Sequence, residues 1–325
     1  MLPILLTRSE IHDELWDKAV SQSEQSVMYA LSWYLDIVCD DWCAIVWPSA
    51  TDYQVIMPIP VKKKWGIDVI QQPLFCQYLG IFCKQPIANK LASDFLSLLS
   101  GEFSYISAYH FNPHNSAQFS GTPAFLDGFE IQTLTTHQLA LNTSYEQVKE
   151  RYSADRKMNL KRGVEHNWSV IPGDDITKLI DLFKMNHESK IAGGVNHQAY
   201  DMLKRLYEEL KFRCETELWY AVSDGLACAG ILMVRCGGLA IYLFNAANHK
   251  GRTGNARSVL LDQYIQRNTG LELMLDFESP SIDSIKSFYK SFGAGESCFI
   301  SINKNGLPFP LKQIQNLRKW FFTNR

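Results

Sequence analysis

The run Gly251-Arg252-Thr253-Gly254-Asn255-Ala256 stands between an apolar stretch, Leu239 to Ala246, and a helix-forming one. Small residues at such a joint let the backbone approach a pyrophosphate, and the first amides of the following helix point at it with the positive end of the helix dipole. Lys250, Arg252 and Arg257 flank or belong to the run and can add charge-assisted hydrogen bonds. An ordinary strand-to-helix turn would carry the same letters. Asp276 and Glu278 lie two residues apart on the next apolar run, which places both carboxyl groups on one face of a strand. Arg156, Lys157 and Lys161 crowd a helical stretch, where residues four apart share a face. They suit an anion, such as a phosphate or a carboxylate, or equally a solvated helix surface. His187 and Glu188 stand near the end of another helical stretch, before a loop carrying Gly193 and Gly194.

Regular elements must hold these groups in place. Leu239 to Ala246 suits a strand buried on both faces, and Asn248 to Asn255 has loop chemistry. A helix is expected from about Ala256 to Arg267, stopped by Asn268 and Gly270. A strand over Leu271 to Glu278 is closed by Pro280, and a helix over Ile282 to Phe292 ends at Gly293. Upstream, Glu217 to Val222 and Ala227 to Arg235 read as a hairpin around Ser223-Asp224-Gly225. Helices are expected after Thr143 or Ser144, through Arg156 to Gly163, over Ile176 to Lys190 and over Tyr200 to Lys211, with a strand at Trp168 to Ile171. The first part of the chain offers helices at Ser9 to Ala19, Tyr29 to Val38 and Asn89 to Ser100. It also offers strands at Cys43 to Trp47, Gln54 to Ile59, Tyr105 to Phe111 and Phe129 to Leu141. Phe111 to Gly128 reads as a loop-rich stretch, with Pro113, Gly121 and Pro123, and Lys312 to Phe322 as an amphipathic tail helix.

This order over Tyr242 to Ala294 resembles the second half of a GNAT acyltransferase domain, and the longer pattern resembles the FemAB-like group of duplicated GNAT folds. GNAT enzymes carry a Gln/Arg-x-x-Gly-x-Gly/Ala loop before the long helix. Gly254 and Ala256 fit that pattern, and Gly251 stands where Gln or Arg is usual. The resemblance implies that Gly251, Arg252, Gly254, Asn255 and Ala256 bind the pyrophosphate of an acyl-CoA. It also implies that backbone N–H groups on a splayed strand at Phe244, Asn245 and Ala246 polarise the thioester carbonyl. GNAT enzymes often end in a run whose Tyr protonates the departing thiolate, and Tyr289, four residues before Gly293, falls at that place. An aromatic packing residue would look the same. FemAB-like aminoacyl transferases carry Phe-Lys-x-x-Phe-Gly there; Phe288, Phe292 and Gly293 match, while Tyr289 replaces the Lys. That replacement favours an acyl-CoA donor over an aminoacyl-tRNA. An attacking amine must lose its proton, so Glu278 and Asp276 are the candidate bases; a helix cap is the other reading of either. In the resembling folds the segment of His187 and Glu188 covers the acceptor pocket, and Arg156, Lys157 and Lys161 would hold an anionic part of acceptor or donor.

Composition narrows the classes. At 325 residues, 46% hydrophobic and 12% aromatic, the chain can bury one large core or two modest ones. Lys and Arg total 32 against 34 Asp and Glu, so no global positive field recruits DNA. No apolar run is long enough to span a bilayer. The 8 Cys include no Cys-x-x-Cys pair and sit mostly among apolar neighbours, which suggests buried free thiols in a reducing cytoplasm and no metal site. The resemblance therefore implies an α+β protein of two tandem GNAT-like domains, residues 1–140 and 141–325, each a mixed, mostly antiparallel sheet flanked by helices. The expected activity is N-acyl transfer from acetyl-CoA or another acyl-CoA to a small-molecule or peptide-like amine. The alternatives are an aminoacyl-tRNA-dependent transferase acting on a peptidoglycan precursor, or a binding protein that retains the fold without the chemistry. The letters do not fix the acyl group, the acceptor or the oligomeric state.

Overall fold

The computed structural model describes residues 1–64, 66–121, 126–191, 194–280, 282–315 and 317. The strands are β1 (Ile4–Thr7), β2 (Asp41–Ser49), β3 (Asp52–Lys64), β4 (Ile67–Gln71), β5 (Phe82–Cys83), β6 (Tyr105–His110), β7 (Glu130–Ala140), β8 (Ser169–Pro172), β9 (Glu215–Ser223), β10 (Leu226–Cys236), β11 (Leu239–Ala247), β12 (Met274–Asp276) and β13 (Gly295–Asn305). The helices are α1 (Asp13–Ser21), α2 (Ser32–Val38), α3 (Asn89–Glu102), α4 (Pro113–Ser120), α5 (Tyr145–Glu150), α6 (Ala154–Glu165), α7 (Thr177–Asn186), α8 (His197–Arg213), α9 (His249–Thr253), α10 (Ala256–Asn268) and α11 (Asp283–Lys290). The architecture is α+β, a mixed sheet with flanking helices.

The chain forms two compact units, Met1–Leu134 with Cys298–Arg325, and Thr135–Ser297. The segment from Cys298 onward, expected with the C-terminal domain, joins the first unit because β13 pairs antiparallel with β6 there. In the first unit the ladder runs β1-β2-β3-β4-β6-β13, all antiparallel except β4 with β6. In the second it runs β7-β12-β11-β10-β9-β8, all antiparallel except β11 with β12. Both parallel pairs are joined through a long helix, α3 or α10, and each is followed by a short one, α4 or α11. That repeated order is not visible in the letters, because nothing in the apolar pattern aligns one half with the other.

Local chemistry accounts for the elements that matter most to the second unit. Ser144 and Gln147 close a capping box on α5, each accepting the other's backbone N–H at 3.3 Å. Ser153 caps α6 by accepting from Arg156 N at 3.1 Å. Gly163 lets α6 cross α10, since a Cβ there would lie 2.7 Å from Val259 Cγ2. Along β10, Ala229 and Ile231 belong to the core under α5, α10 and α11, while Gly230 faces Leu179 of α7. The sheet is thus covered on both faces.

Several expectations are corrected. Phe111 to Gly128 is not all loop: Asn112 accepts from Asn115 N and Pro113 takes the first helical position of α4, where its missing N–H costs nothing. Pro123 lies outside the described residues. Asn248 to Asn255 is not a loop either, because Asn248 Oδ1 accepts from Gly251 N at 2.8 Å and starts α9. The strand expected to reach Glu278 stops at Asp276. Strand β13, with Phe299, Ile300 and Ile302 buried, was not foreseen. Residues 312–315 and 317 of the expected tail helix are helical, and the rest of it lies outside the described residues, as does Gly193. The free-thiol reading fails for Cys214 and Cys236, which form a disulfide. The antiparallel register that opposes Glu215 to Arg235 carries the two cysteines opposite each other one step further on. The free cysteines are Cys39, Cys43, Cys76, Cys83, Cys228 and Cys298. Among the described residues no helix is long and apolar enough to cross a membrane, and no group of three or more His, Cys, Asp or Glu could hold a metal.

Candidate functional site

The site is built on the parting of β11 from β12. Their parallel pairing covers only Leu239 to Ile241 against Met274 to Asp276. Beyond it β11 continues to Ala247, while Phe277 N turns away to donate to His137 O of β7 at 3.0 Å. Backbone groups on that edge of β11 after Ile241 therefore have no ladder partner among the described residues. Between Tyr242 and Phe244 the register with β10 slips by one residue, so Leu243 is a bulge. The bulge reverses the alternation of side chains. Tyr242 before it and Ala247 after it both face the α10 side, and Asn245 Oδ1 accepts from Arg257 Nη1 of α10 at 2.9 Å. Phe244 instead packs against Phe183 of α7, ring centroids 5.0 Å apart. The three strand residues expected to act together, Phe244, Asn245 and Ala246, thus serve both faces.

Three polar side chains, Tyr289, Glu278 and Tyr242, gather where the strands part. Tyr289 on α11 is 5% exposed, stacked on Phe277 at 4.8 Å and edge-on to Tyr242 at 5.9 Å. Burial pushes its pKa up to about 12; the Arg257 charge opposes this and the Glu278 carboxyl adds to it. Glu278 is half-buried, yet its Oε1 is cut off from solvent without a hydrogen-bond partner among the described residues, and burial raises its pKa to about 8. The Tyr242 hydroxyl is likewise buried and unpartnered among them, and burial pushes its pKa well up. Buried polar atoms are nearly always satisfied, so two orphaned oxygens in one neighbourhood make it a candidate ligand site. Glu278 and Asp276 do not share this place as one strand face. Asp276 is 1% exposed and accepts from Thr136 Oγ1 at 2.5 Å, from Gln138 Nε2 at 2.9 Å and from Glu278 N at 2.9 Å. The strand ends between them, and Glu278 takes a left-handed conformation with φ 47°.

Two glycines of the run are closely packed. A Cβ on Gly251 would overlap the carbonyl O of Cys228 in β10, with the carbonyl carbon 2.8 Å away. A Cβ on Gly254 would overlap Trp168, whose Nε1 donates to Gly254 O at 2.8 Å. Arg252 turns inward and donates to Ala247 O at 2.6 Å. Asn255 adopts a left-handed conformation, φ 56°, and leads into Ala256 without a side-chain cap on α10. Against this junction lies a cavity of about 480 Å³, lined by Asn159, Arg162, Glu165, His166, Thr253 and Asn255.

The basic helix separates into two groups. Arg156 does not share a face with Lys157 and Lys161, because adjacent helical residues point about 100° apart. It is 4% exposed, and its guanidinium is stacked 4.3 Å from both the Phe288 and Phe292 rings. It donates to Ser258 Oγ, to Ser291 Oγ at 3.0 Å and to Phe288 O at 3.5 Å. Burial lowers its pKa to about 10. Arg156 is a strut between α6, α10 and α11; Lys157 and Lys161 are exposed, and Lys157 Nζ reaches Glu150 O at 3.0 Å. His187 lies elsewhere, on the α7 face, stacked on Phe183 with Nε2 3.1 Å from Ala247 O. Glu188 is half-buried beside it and, after burial, is the cause that raises the Tyr200 pKa.

Sequence reasoning missed Tyr242, Thr136, His137 and Ser279. Tyr242 looks like core inside an apolar strand. The other three meet only through the pairing of β7 with β12, with His137 Nδ1 2.9 Å from Ser279 Oγ. The run Thr135-Thr136-His137-Gln138 was the one available signal, polar letters inside a strand that is otherwise apolar at its end.

The corresponding parting in the first unit is closed. There Leu79 bridges Phe111 in parallel, its N–H donating to His110 O and its carbonyl accepting from Asn112 N, both at 2.8 Å. Gln72 Oε1 accepts from His110 N at 3.0 Å. There the chain itself supplies a pairing partner that β11 lacks among the described residues after Ile241.

No family model and no curated protein matches the chain. Among solved structures it is similar to FemX, at 11% identity and a TM-score of 0.62, covering 94% of this chain and 98% of that one. A conserved protein of unknown function from Bacteroides thetaiotaomicron gives 9% identity and a TM-score of 0.55, over 94% and 100%. A tandem GNAT protein from the clavulanic acid biosynthesis pathway gives 10% and 0.53, over 94% and 99%. At such identities the likeness is one of fold alone: the chain shares the fold of FemX and of the tandem GNAT protein.

Proposed function

We propose that the chain is an N-acyltransferase that moves an acyl group from an acyl-CoA, such as acetyl-CoA, to an amine. The observation that carries this reading is the orphaned Glu278 carboxyl beside Tyr289 where β11 and β12 part. The thioester carbonyl lies against backbone amides of β11 around Phe244 to Ala246, which stabilise the oxyanion. Glu278, deprotonated, takes the proton from the acceptor's ammonium or from the nitrogen as it attacks. The new C–N bond forms, the C–S bond breaks, and the thiolate leaves with a proton from the Tyr289 hydroxyl. Asp276, expected as a second base, is already engaged by three donors. The donor's pyrophosphate lies at the uncapped start of α10, at Asn255, Ala256 and Arg257, and the adjoining cavity with Arg162 and His166 takes its nucleotide end. Gly251, Arg252 and Gly254 shape this junction from behind. His187 and Glu188, on the opposite face of β11, meet the acceptor, a small-molecule or peptide-like amine. Lys157 and Lys161, exposed on α6, would engage any acidic part of donor or acceptor.

Tyr289→Phe tests the leaving-group step. A thiol's ordinary pKa is near 8.5, so the thiolate needs limited help, and the expected loss is about 10- to 10³-fold in kcat. The ring keeps its stack on Phe277, so the melting temperature and CoA affinity should hold. An enzyme as active as wild type would make Tyr289 a packing residue. An aminoacyl-tRNA is the alternative donor, suggested by the Phe288, Phe292 and Gly293 run; turnover of charged tRNA but of no acyl-CoA would establish it.

A further inference from the structure

We propose that Asp276 and Thr136 are positioning residues that clamp Glu278 in its left-handed conformation and so aim its carboxyl at the opening beside Tyr289. The inference rests on the reading of Glu278 as the base. A non-glycine residue in this backbone region is strained and persists only where its surroundings over-determine it. Here they do. Asp276 Oδ1 accepts both from Glu278 N at 2.9 Å and from Thr136 Oγ1 at 2.5 Å. The Thr136 hydroxyl oxygen in turn lies 3.3 Å from Ser279 N, which donates to it. Gln138 Nε2 fixes the other Asp276 oxygen at 2.9 Å, and the His137 ring holds Ser279 Oγ at 2.9 Å. Residues on both sides of Glu278 are therefore tied to three successive residues of β7, and Thr136, His137, Asp276 and Ser279 are each no more than 2% exposed. Glu278 alone in the turn keeps an unpartnered oxygen among the described residues. A turn that needed only to end a strand would not require so many buried polar groups around one strained residue.

The titratable and charged groups around the turn are Tyr242 from β11, Arg257 from α10, Tyr289 from α11, Asp276 itself and His137 from β7. Lys286, Lys290 and Glu296 act on His137 from α11 and β13. Carbon-detected NMR of the Glu side chains, with the Glu278 signal assigned by its loss in Glu278→Gln, reads the outcome without any substrate. In the wild type the Glu278 carboxyl should titrate near pH 8. Thr136→Val, which keeps the shape and removes the hydroxyl, should let the turn relax and Glu278 reach water. Its midpoint should then fall by about two pH units or more, towards the ordinary carboxylate range. Thr136→Ser should restore the wild-type midpoint, and Asp276→Asn, a second route to the same loosening, should lower it. A folded Thr136→Val or Asp276→Asn protein titrating as the wild type does would overturn the clamp and leave Glu278 as the base. A wild-type midpoint in the ordinary range would overturn both.

Discussion

Glu278→Gln is expected to lower kcat by about 10²- to 10⁴-fold, the usual contribution of a general base, with little change in CoA affinity. Gln keeps the shape of the side chain and cannot take a proton. In the wild type, kcat/KM should rise with pH through about 8, because Glu278 must lose its proton before it can accept one. The mutant should lose that ascending limb. Stability gives an independent check. The folded chain holds the Glu278 proton up to about pH 8, and the unfolded chain releases it near the ordinary value of 4.5. Between those values the folded state binds more protons, so this carboxyl makes stability fall as pH rises. Below pH 4.5 the contribution is fully present, and it has been lost once the pH has risen through about 8. Glu278→Gln should flatten that part of the profile of melting temperature against pH. Full activity with an unchanged pH profile would remove Glu278 from the chemistry.

The second large effect is on folding. Gly251→Ala places a methyl group into the Cys228 carbonyl of β10, whose oxygen also accepts from Asn248 N at 2.9 Å. Backbone cannot yield there without breaking the hairpin ladder, so the cost should be about 3 kcal/mol or more, at or beyond the upper end for overpacking. At about 2–4 °C per kcal/mol for a domain of this size, the melting temperature should drop by about 6–12 °C. Gly254→Ala should cost less, since its main obstacle is the Trp168 side chain, although Lys250 O at 3.1 Å also crowds it. Thermal unfolding of the two variants checks the order. Equal stability of Gly251→Ala and wild type would contradict the packing role and return Gly251 to the ligand.

This bears on what the letters could reveal. The alternation of apolar and polar residues located β9, β10 and β11 and the helix after them, because a two-residue and a 3.6-residue period are local properties. Glu278 and Tyr289 were each legible as candidate groups, though for Glu278 the reading assumed a strand that ends two residues earlier; that the two lie near one another is a product of the fold. Gly251 and Gly254 were legible as positions needing no side chain. What lies beside each is a tertiary fact: the Cys228 carbonyl of β10 at Gly251 and the Trp168 side chain at Gly254. Arg156 shows the same limit: a helix face can be counted, but burial between Phe288 and Phe292 depends on where α11 docks. The polar ring of Thr136, His137, Asp276 and Ser279 spans about 140 residues of sequence separation and has no local period at all. Strand β13 leaves a readable alternation at Phe299 to Ile302, yet its place beside β6 follows only from the long-range pairing of Ser301 with His110 and Asn305 with Tyr105.

The central claim is that the opening beside β11 accepts an acyl-CoA. Calorimetric titration of the intact protein with coenzyme A, the part common to every such donor, tests it most directly. One equivalent should bind per chain, because the matching gap in the first unit is filled by Leu79 and its neighbours. Arg257→Glu should weaken binding at least tenfold, and Tyr289→Phe should leave it unchanged. Absence of binding at millimolar coenzyme A, in protein shown to be folded, would contradict the account.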